Sequence, residues 1–314
     1  MTDKKPLLII LGPTASGKTK LAVNLADILN GEIISADSRQ VFEGMDIGTG
    51  KDLNEYVING KKIPYHLIDI KKAGDSYNVN EFKEDFYCAF GKITDNNALP
   101  ILCGGSGMYI HSILQEHEYT AIPPNTTLRT TLGNLETEEL RLLLSKYSHK
   151  FTAHADLSSR KRIIRAIEVS SYLTDHKLDK VERPAFNSCV IGLEPELNLR
   201  RQRIITRLEL RLKEGLINEV EQLIKSGVCM DKLQFYGLEY KYVVMYILGT
   251  MNYEALVEKL TIAICQFAKR QMTFFRKMEK DGVKINWIKS TDKTDPTQQA
   301  LDLYNFFLNS RSAF

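Results

Sequence analysis

Along the first hundred residues the spacing of apolar positions changes period several times. Short, mostly apolar runs at Leu7 to Leu11, Glu32 to Ser35, His66 to Ile70 and Pro100 to Cys103 read as strands. Helical spacing occupies the intervals from about Gly17 to Leu29 and from Val79 to Ile93. Strands alternating with helices of that length predict a parallel sheet with crossover helices, the pattern of an α/β core. Beyond Tyr109 the strand signals fade. A loop with Pro123 and Pro124 leads into helical segments near Thr126 to Leu135, Glu136 to Tyr147 and Ser158 to Leu173. Glu182 to Ser188, which includes Pro184, reads as a turn, and Cys189 to Leu193 as a late strand returning to the sheet. Helices follow at about Leu197 to Ser226, Gly237 to Leu248 and Tyr253 to Lys280, then a short strand from Lys284 to Trp287. Residues 1–115 together with 189–314 are thus expected to form the core and its C-terminal helices, with 116–188 a helical insert.

Composition narrows the class. With 314 residues, 43% hydrophobic and 26% charged, the chain has the makeup of a globular protein. Lys4 and Lys5 precede an apolar stretch too short to span a membrane and without a small-residue cleavage site, so a cytoplasmic protein free of membranes is expected. Cys88, Cys103, Cys189, Cys229 and Cys265 are too widely spaced for a zinc pair and odd in number, so they are expected reduced and mostly buried. The six histidines, His66, His111, His117, His149, His154 and His176, show no ligand spacing. The net charge of +3 is mild but uneven. Arg160, Lys161, Arg162 and Arg165 form one basic cluster, Arg200 to Lys213 a second, and Lys269, Arg270, Arg276 and Lys277 a third. Such clusters suit a polyphosphate or nucleic-acid ligand, and solvated helix faces are the plainer alternative.

The sharpest chemical signal is Gly12-Pro13-Thr14-Ala15-Ser16-Gly17-Lys18-Thr19. It is a G-x-x-x-x-G-K-[ST] loop that follows an apolar strand and opens a helix. Glycines let backbone N–H groups converge on phosphate oxygens at a helix N-terminus. Lys18 adds a point charge and Thr19 a hydroxyl able to face Mg²⁺. The loop does not specify whose phosphate it holds.

Past the second strand, Ile34-Ser35-Ala36-Asp37-Ser38-Arg39-Gln40 sets a carboxylate beside that loop, at the strand ends where ligands bind in open α/β sheets. Asp37 is a candidate general base or Mg²⁺ contact, with a helix cap as the alternative. A polar loop, Asp46 to Lys51, is expected to pack nearby, and Asp69 is a candidate outer metal contact or a structural residue. Gly104-Gly105-Ser106-Gly107-Met108-Tyr109 is a second glycine-rich turn that leaves room for a base or ribose. In the helix after Leu197, Arg200, Arg203, Arg207 and Arg211 recur at three- and four-residue spacing, away from Ile204, Leu208 and Leu212. An arginine face of this kind can neutralise a departing diphosphate.

Taken together, these segments resemble the tRNA dimethylallyltransferases of the bacterial type. The matching stretches are Gly12 to Thr19, Ile34 to Phe42, Gly44 to Lys51, His66 to Asp69, Gly104 to Tyr109, Arg162 to Glu168 and Lys269 to Gln271, in family order across nearly the whole chain. Leu238 and Phe42 stand where tyrosines are common in the family, and Cys265 where an arginine is frequent. The resemblance implies a P-loop NTPase-like parallel-sheet core with a mostly helical second part. It also implies transfer of a dimethylallyl group from dimethylallyl diphosphate to the exocyclic amine of adenosine 37 in the tRNA anticodon stem-loop, with Mg²⁺, by a monomer.

In that resemblance the loop Gly12 to Thr19 holds the diphosphate, Thr19 serves the metal and Arg207 touches the diphosphate. Asp37 is the base on the adenine amine, and Asp37, Ser38, Arg39, Gln40, Ser106, Arg129, Lys161, Arg162 and Arg165 lie on the tRNA side. An adenine amine is a weak nucleophile, so stabilising the leaving diphosphate is the largest available help. Three other readings stay open: a small-molecule P-loop kinase, an isopentenyltransferase acting on free adenine nucleotides, and a catalytically silent tRNA-binding relative.

Overall fold

The computed structural model describes residues 4–115, 117–153, 155–179, 181–291 and 295–311; His154 lies outside them. The chain divides into two compact units, one of Met1–Gln115 with Pro184–Phe314 and one of Glu116–Arg183.

The first unit begins with strand β1 (Lys5–Leu11), helix α1 (Lys18–Ile28) and strand β2 (Gly31–Ser35). A small hairpin of β3 (Val57–Ile58) and β4 (Lys61–Lys62) precedes β5 (Tyr65–His66), α2 (Val79–Asp95), β6 (Leu99–Gly104) and α3 (Gly107–Leu114). Among the described residues, six parallel strands form one sheet in the order β5-β2-β6-β1, continued by β7 (Phe186–Pro195) and, after the C-terminal helices, β8 (Asn286–Ser290). Leu7 to Leu11 are fully buried because β1 has strands on both sides and helices over both faces. One apolar layer joins α2 and α3 to Phe275 and Met278, and the opposite layer joins α1 to Ala300 and Tyr304. β1 is the point where the chain order reverses, with β6 on one flank and β7 on the other, so the loops after β1, β2 and β6 open into one crevice.

The helices between β7 and β8 are α8 (Leu197–Lys213), α9 (Leu216–Lys225), α10 (Met230–Tyr236), α11 (Leu238–Ile247) and α12 (Tyr253–Lys280), followed after β8 by α13 (Thr297–Arg311). They pack around Leu208, Val220, Tyr240 and Leu260, which are buried. The long helix expected from Leu197 to Ser226 is two helices, because Gly215 takes a left-handed φ of 101°. α10 and α13 were not legible as helices. The strand expected from His66 to Ile70 stops at His66, since Leu67 and Asp69 have φ of 62° and 55° and turn the chain out of the sheet. Phe186 to Ser188, expected in a turn, pair with Lys5 to Leu7 and lengthen β7. Cys103 and Cys189 are buried, but Cys88 and Cys229 are exposed and Cys265 is intermediate, which corrects the expectation of mostly buried thiols. No helix among the described residues is long and apolar enough to cross a membrane.

The second unit holds α4 (Thr126–Leu132), α5 (Thr137–Ser145), the single turn α6 (His149–Thr152) and α7 (Arg160–Asp175) around Leu140, Ile163 and Ile167. Its polar centre is Glu168, with 2% of its side chain exposed. Arg129 donates from Nε and Nη2 to both Glu168 oxygens, at 2.9 and 2.8 Å, and Arg165 donates to the same carboxylate. Arg165 also donates to the carbonyls of Tyr119 and Ile122, at 2.9 and 2.7 Å. Arg162 pairs with Asp156 at 2.8 Å, and Lys161 is exposed. Burial by itself raises the Glu168 pKa, but the hydrogen bonds from Arg129, Arg165 and the Asn125 N–H outweigh it and hold the carboxyl below its ordinary 4.5. A carboxyl depressed in the folded state stabilises above its unfolded pKa and loses that contribution as pH falls through the folded value. The second unit is therefore expected to loosen below about pH 4.5. Glu168→Gln should abolish that acid dependence and destabilise the unit by about 2 kcal/mol at neutral pH, since both arginines are partly solvated. Hydrogen exchange of α4 and α7 across pH checks both; an unchanged acid profile in the variant would remove Glu168 as its source.

Candidate active site

Three loops meet at the carboxyl ends of β1, β2 and β6. The phosphate-type loop leaves β1 and enters α1 through Gly17, whose φ of 84° is accessible to glycine without strain. Lys18 curls back so that Nζ lies 3.5 Å from the Pro13 carbonyl. Surrounding protein lowers the Lys18 pKa by desolvation, and Arg207 lowers it further, against opposing effects of Cys103 and Asp37. Lys18 and Thr19 both face the crevice.

Asp37 follows β2, with Oδ1 accepting the Arg39 N–H at 2.9 Å, and the chain there is fastened to the second glycine loop. The Ala36 N–H donates to the Cys103 carbonyl at 2.7 Å, and the Ser106 N–H to the Ala36 carbonyl at 3.2 Å. Ser106 Oγ accepts the Ser38 N–H at 3.2 Å. A Cβ on Gly104 would sit 2.2 Å from the Ala36 carbonyl oxygen, so any other residue there would drive the loops apart. Gln40 has both amide atoms engaged: Ser35 Oγ donates to its Oε1 and its Nε2 donates to the Gly50 carbonyl, each at 2.9 Å.

Four further residues hold the constellation. Gln271, on α12, accepts the Thr14 N–H through Oε1 at 2.8 Å and donates from Nε2 to the Gly105 carbonyl at 3.0 Å, tying one glycine loop to the other. Lys51 is 1% exposed and donates to the Phe42 carbonyl at 2.7 Å, to Asp46 at 2.6 Å and to Asp69. This pairing makes Asp69 an anchor of the Asp46 to Lys51 loop. Glu219, on α9, accepts the N–H groups of Asp46, Ile47 and Gly48 at 2.8, 2.7 and 3.0 Å, and the Tyr240 hydroxyl at 2.7 Å. Burial and that carboxylate push the Tyr240 phenol well above its ordinary pKa, so it stays a donor. Sequence reasoning missed the roles of Gln271, Lys51, Glu219 and Tyr240. Gln271 and Lys51 lay in segments already matched, whereas Glu219 is an ordinary polar position on an amphipathic helix.

A narrow cavity of ≈ 70 Å³ lies within this frame, with Lys18, Thr19 and Arg207 on its wall together with Asp37 and Gln271. A wider cleft of ≈ 580 Å³ shares Lys18, Thr19 and Arg207 with it and runs along Ser16, Gly17 and Asn24. A groove of ≈ 330 Å³ shares Asp37, Arg39, Phe267 and Gln271 and includes Ser106 and Met108. The two openings thus differ in chemistry. One is rich in phosphate-type donors; the other offers a carboxylate beside aromatic and sulfur surface. Arg39 stacks over Phe267, 5.2 Å from the ring centre. Of the expected site residues, Gly12 to Thr19, Asp37 to Gln40, Ser106 and Arg207 come together in the first unit. Arg129, Lys161, Arg162 and Arg165 lie in the second unit, the first and last of them joined to Glu168.

Gln271 generates a direct test. Gln271→Leu keeps the volume but leaves the Thr14 N–H and the Gly105 carbonyl without their partner, which should cost about 2 to 3 kcal/mol of stability. Denaturant unfolding measures it; a loss under a few tenths would mean the loops do not depend on this bridge.

Residues 40–278 match the IPP transferase family. The chain is 48% identical over 284 residues to a tRNA dimethylallyltransferase 2 of Bacteroides fragilis, covering 90% of this chain and 92% of that one. It is 47% identical over 307 residues to a tRNA dimethylallyltransferase 1 of Parabacteroides distasonis, covering 97% and 98%. Among solved structures, the tRNA isopentenylpyrophosphate transferase of Bacillus halodurans superposes with a TM-score of 0.70 at 32% identity over 98% of this chain and 96% of that one. A eukaryotic dimethylallyltransferase acting on tRNA shares the fold, with a TM-score of 0.77 at 20% identity over 98% and 80%. With a matched segment that spans most of its length and relatives near half identity, this chain belongs to the IPP transferase family.

Proposed function

We propose that this protein is a tRNA dimethylallyltransferase, which moves the dimethylallyl group of dimethylallyl diphosphate onto the exocyclic amine of adenosine 37, beside the tRNA anticodon, and releases diphosphate. The observation that carries the reading is the narrow cavity with Lys18, Thr19 and Arg207 toward one opening and Asp37 toward the other. Prenyl diphosphate enters by the donor-rich cleft, and an unstacked adenine enters by the groove at Ser106. Family membership and the names borne by the relatives support the same chemistry.

In the reaction the allylic C–O bond breaks as the bond from the amine nitrogen to that carbon forms. Negative charge accumulates on the leaving diphosphate, where the loop N–H groups, Lys18 and Arg207 receive it. The alkylated amine becomes acidic and gives its proton to the Asp37 carboxylate. The hard oxygen of Thr19 fits Mg²⁺, which takes few protein ligands when phosphate oxygens supply the rest. When bound there, the ion would neutralise part of the diphosphate charge. The target base has to leave its stack, which is least costly for an unpaired loop base. In this proposal the enzyme is a monomer that meets its tRNA substrate in the cytoplasm.

Purified protein with Mg²⁺ is expected to transfer label from dimethylallyl diphosphate to an unmodified anticodon stem-loop. Phosphorylation of a small acceptor from ATP, without prenyl transfer, would sink the reading. Asp37→Ala should abolish turnover while stem-loop affinity stays within about threefold, because the carboxylate acts on the proton in the transition state. An undiminished rate would remove the general-base role. Because burial depresses the Lys18 pKa, its charge is lost at lower pH than that of an ordinary lysine. Inorganic diphosphate should therefore bind progressively more weakly as pH rises through that depressed value. Lys18→Met should bind weakly throughout and flatten the titration; calorimetry at stepped pH distinguishes the two.

A further inference from the structure

The wall of the cavity contains a buried arginine, Arg211, that the reaction as derived does not use. Arg211 lies one helical turn after Arg207 on α8 and is 8% exposed. Its Nε and Nη2 are buried without hydrogen-bond partners, although five N–H groups make guanidinium one of the most demanding donors to enclose. The nearest carboxylates stand off: Glu239 Oε1 is 3.8 Å from Nη1, and Asp52 Oδ2 is 3.8 Å from Nη2. The same Asp52 Oδ2 is already hydrogen bonded to Nη2 of Arg207. One carboxylate oxygen therefore sits between two arginines, in contact with the first and just out of reach of the second.

The local backbone is shaped to allow this. A Cβ on Gly50 would lie 1.6 Å from Arg211 Nη2 and 2.6 Å from Arg207 Nη2. Gly50 also has a φ of 64°, and Asp52, two residues on, a φ of 45°. Any Cβ at this position would require one or both guanidinium groups to shift from where they lie.

We propose that Arg211 is a positioning residue for the diphosphate site, which takes over the Asp52 carboxylate when Arg207 turns to the ligand. Before binding, Asp52 occupies Arg207. A diphosphate competes for the same guanidinium, and the Asp52 carboxylate, 39% exposed, then passes to solvent unless a neighbouring cation receives it. Arg211 is that cation, since a shift of roughly 1 Å turns its 3.8 Å approach into a charge-assisted hydrogen bond. The exchange also satisfies a guanidinium nitrogen that is otherwise unpartnered. Arg207 then delivers its charge to the ligand, and when diphosphate leaves, Asp52 returns to Arg207 and helps displace it. This inference rests on the reading of the Lys18 to Arg207 cleft as a diphosphate site.

A double-mutant cycle read by inorganic diphosphate binding tests it, with calorimetry on the full chain. Arg211→Met should weaken binding by about tenfold, Asp52→Asn should strengthen it a few-fold, and Arg211→Met in the Asp52→Asn background should cost only about twofold, because the carboxylate to be rehoused is gone. Arg211→Lys, which keeps a cation at the same place, should stay within about threefold of the parent. Single-turnover kinetics should assign the Arg211→Met loss to substrate KM and leave the chemical step nearly unchanged. An equal penalty for Arg211→Met in both backgrounds would overturn the exchange while leaving the diphosphate site intact. Failure of the parent protein to bind diphosphate at all would overturn the site itself. Should Arg211→Met prove unstable, Arg211→Gln, which also removes the cation, takes its place in the cycle, and an equal penalty in both Asp52 backgrounds would overturn the exchange equally.

Discussion

Gln271 is the interaction on which the crevice depends, because its amide runs from the loop after β1 to the loop after β6. The first of those loops carries the phosphate-type motif, and the second has a glycine where the chain at Ala36 approaches closely. Gln271 supplies an acceptor to Thr14 and a donor to Gly105 from a rigid helix, so both loops keep their spacing without closing the space between them. The separation of the phosphate donors from the Asp37 carboxylate follows from that spacing.

The same economy recurs around the cavity, where charged groups are held by other charges instead of by solvent. Lys51 is enclosed among Asp46, Asp69 and the Phe42 carbonyl, and it fixes the loop whose Gly48 to Gly50 segment walls the cavity. Glu219 closes the same loop from the other side by gathering three successive N–H groups, much as an anion sits on a helix N-terminus. Around Arg207 the balance is looser, with Asp52 shared at unequal distance between two arginines. Tight pairs frame the site, and the unequally shared carboxylate lies beside Arg207, on the wall of both the cavity and the wider cleft.

Much of the fold was readable from local pattern. Leu7 to Leu11 followed by Gly12 to Thr19 could be recognised because strand, glycine loop and helix are adjacent in sequence and each is a short-range steric choice. Asp37, Ser106 and Arg207 were reachable for the same reason: each sits at an element end or on a regular helical face. The errors share a cause as well. His66 to Ile70 has a strand's composition, yet Leu67 and Asp69 adopt left-handed φ to let Asp69 meet Lys51. Lys51 itself reads as a surface residue, since lysines are almost never enclosed unless paired, and its pairs come from two separate segments. The basic stripe on α8 looked like one face, but Arg200 and Arg211 are enclosed whereas Arg203 and Arg207 are only half-buried.

By itself, then, the sequence determined the phosphate-type loop, the carboxylate after the second strand and the parallel order of their elements, because backbone sterics and hydrophobic period act over a few residues. Only the tertiary structure decided which distant side chains complete the site. Gln271 is 257 residues from Thr14, Glu219 is 173 from Asp46, and Arg207 is 155 from Asp52. Those contacts exist because the helices after β7 bury their apolar faces against one another and against the strand-end loops. That packing brings in whichever polar groups lie beside the buried stripe, and no local pattern marks them beforehand.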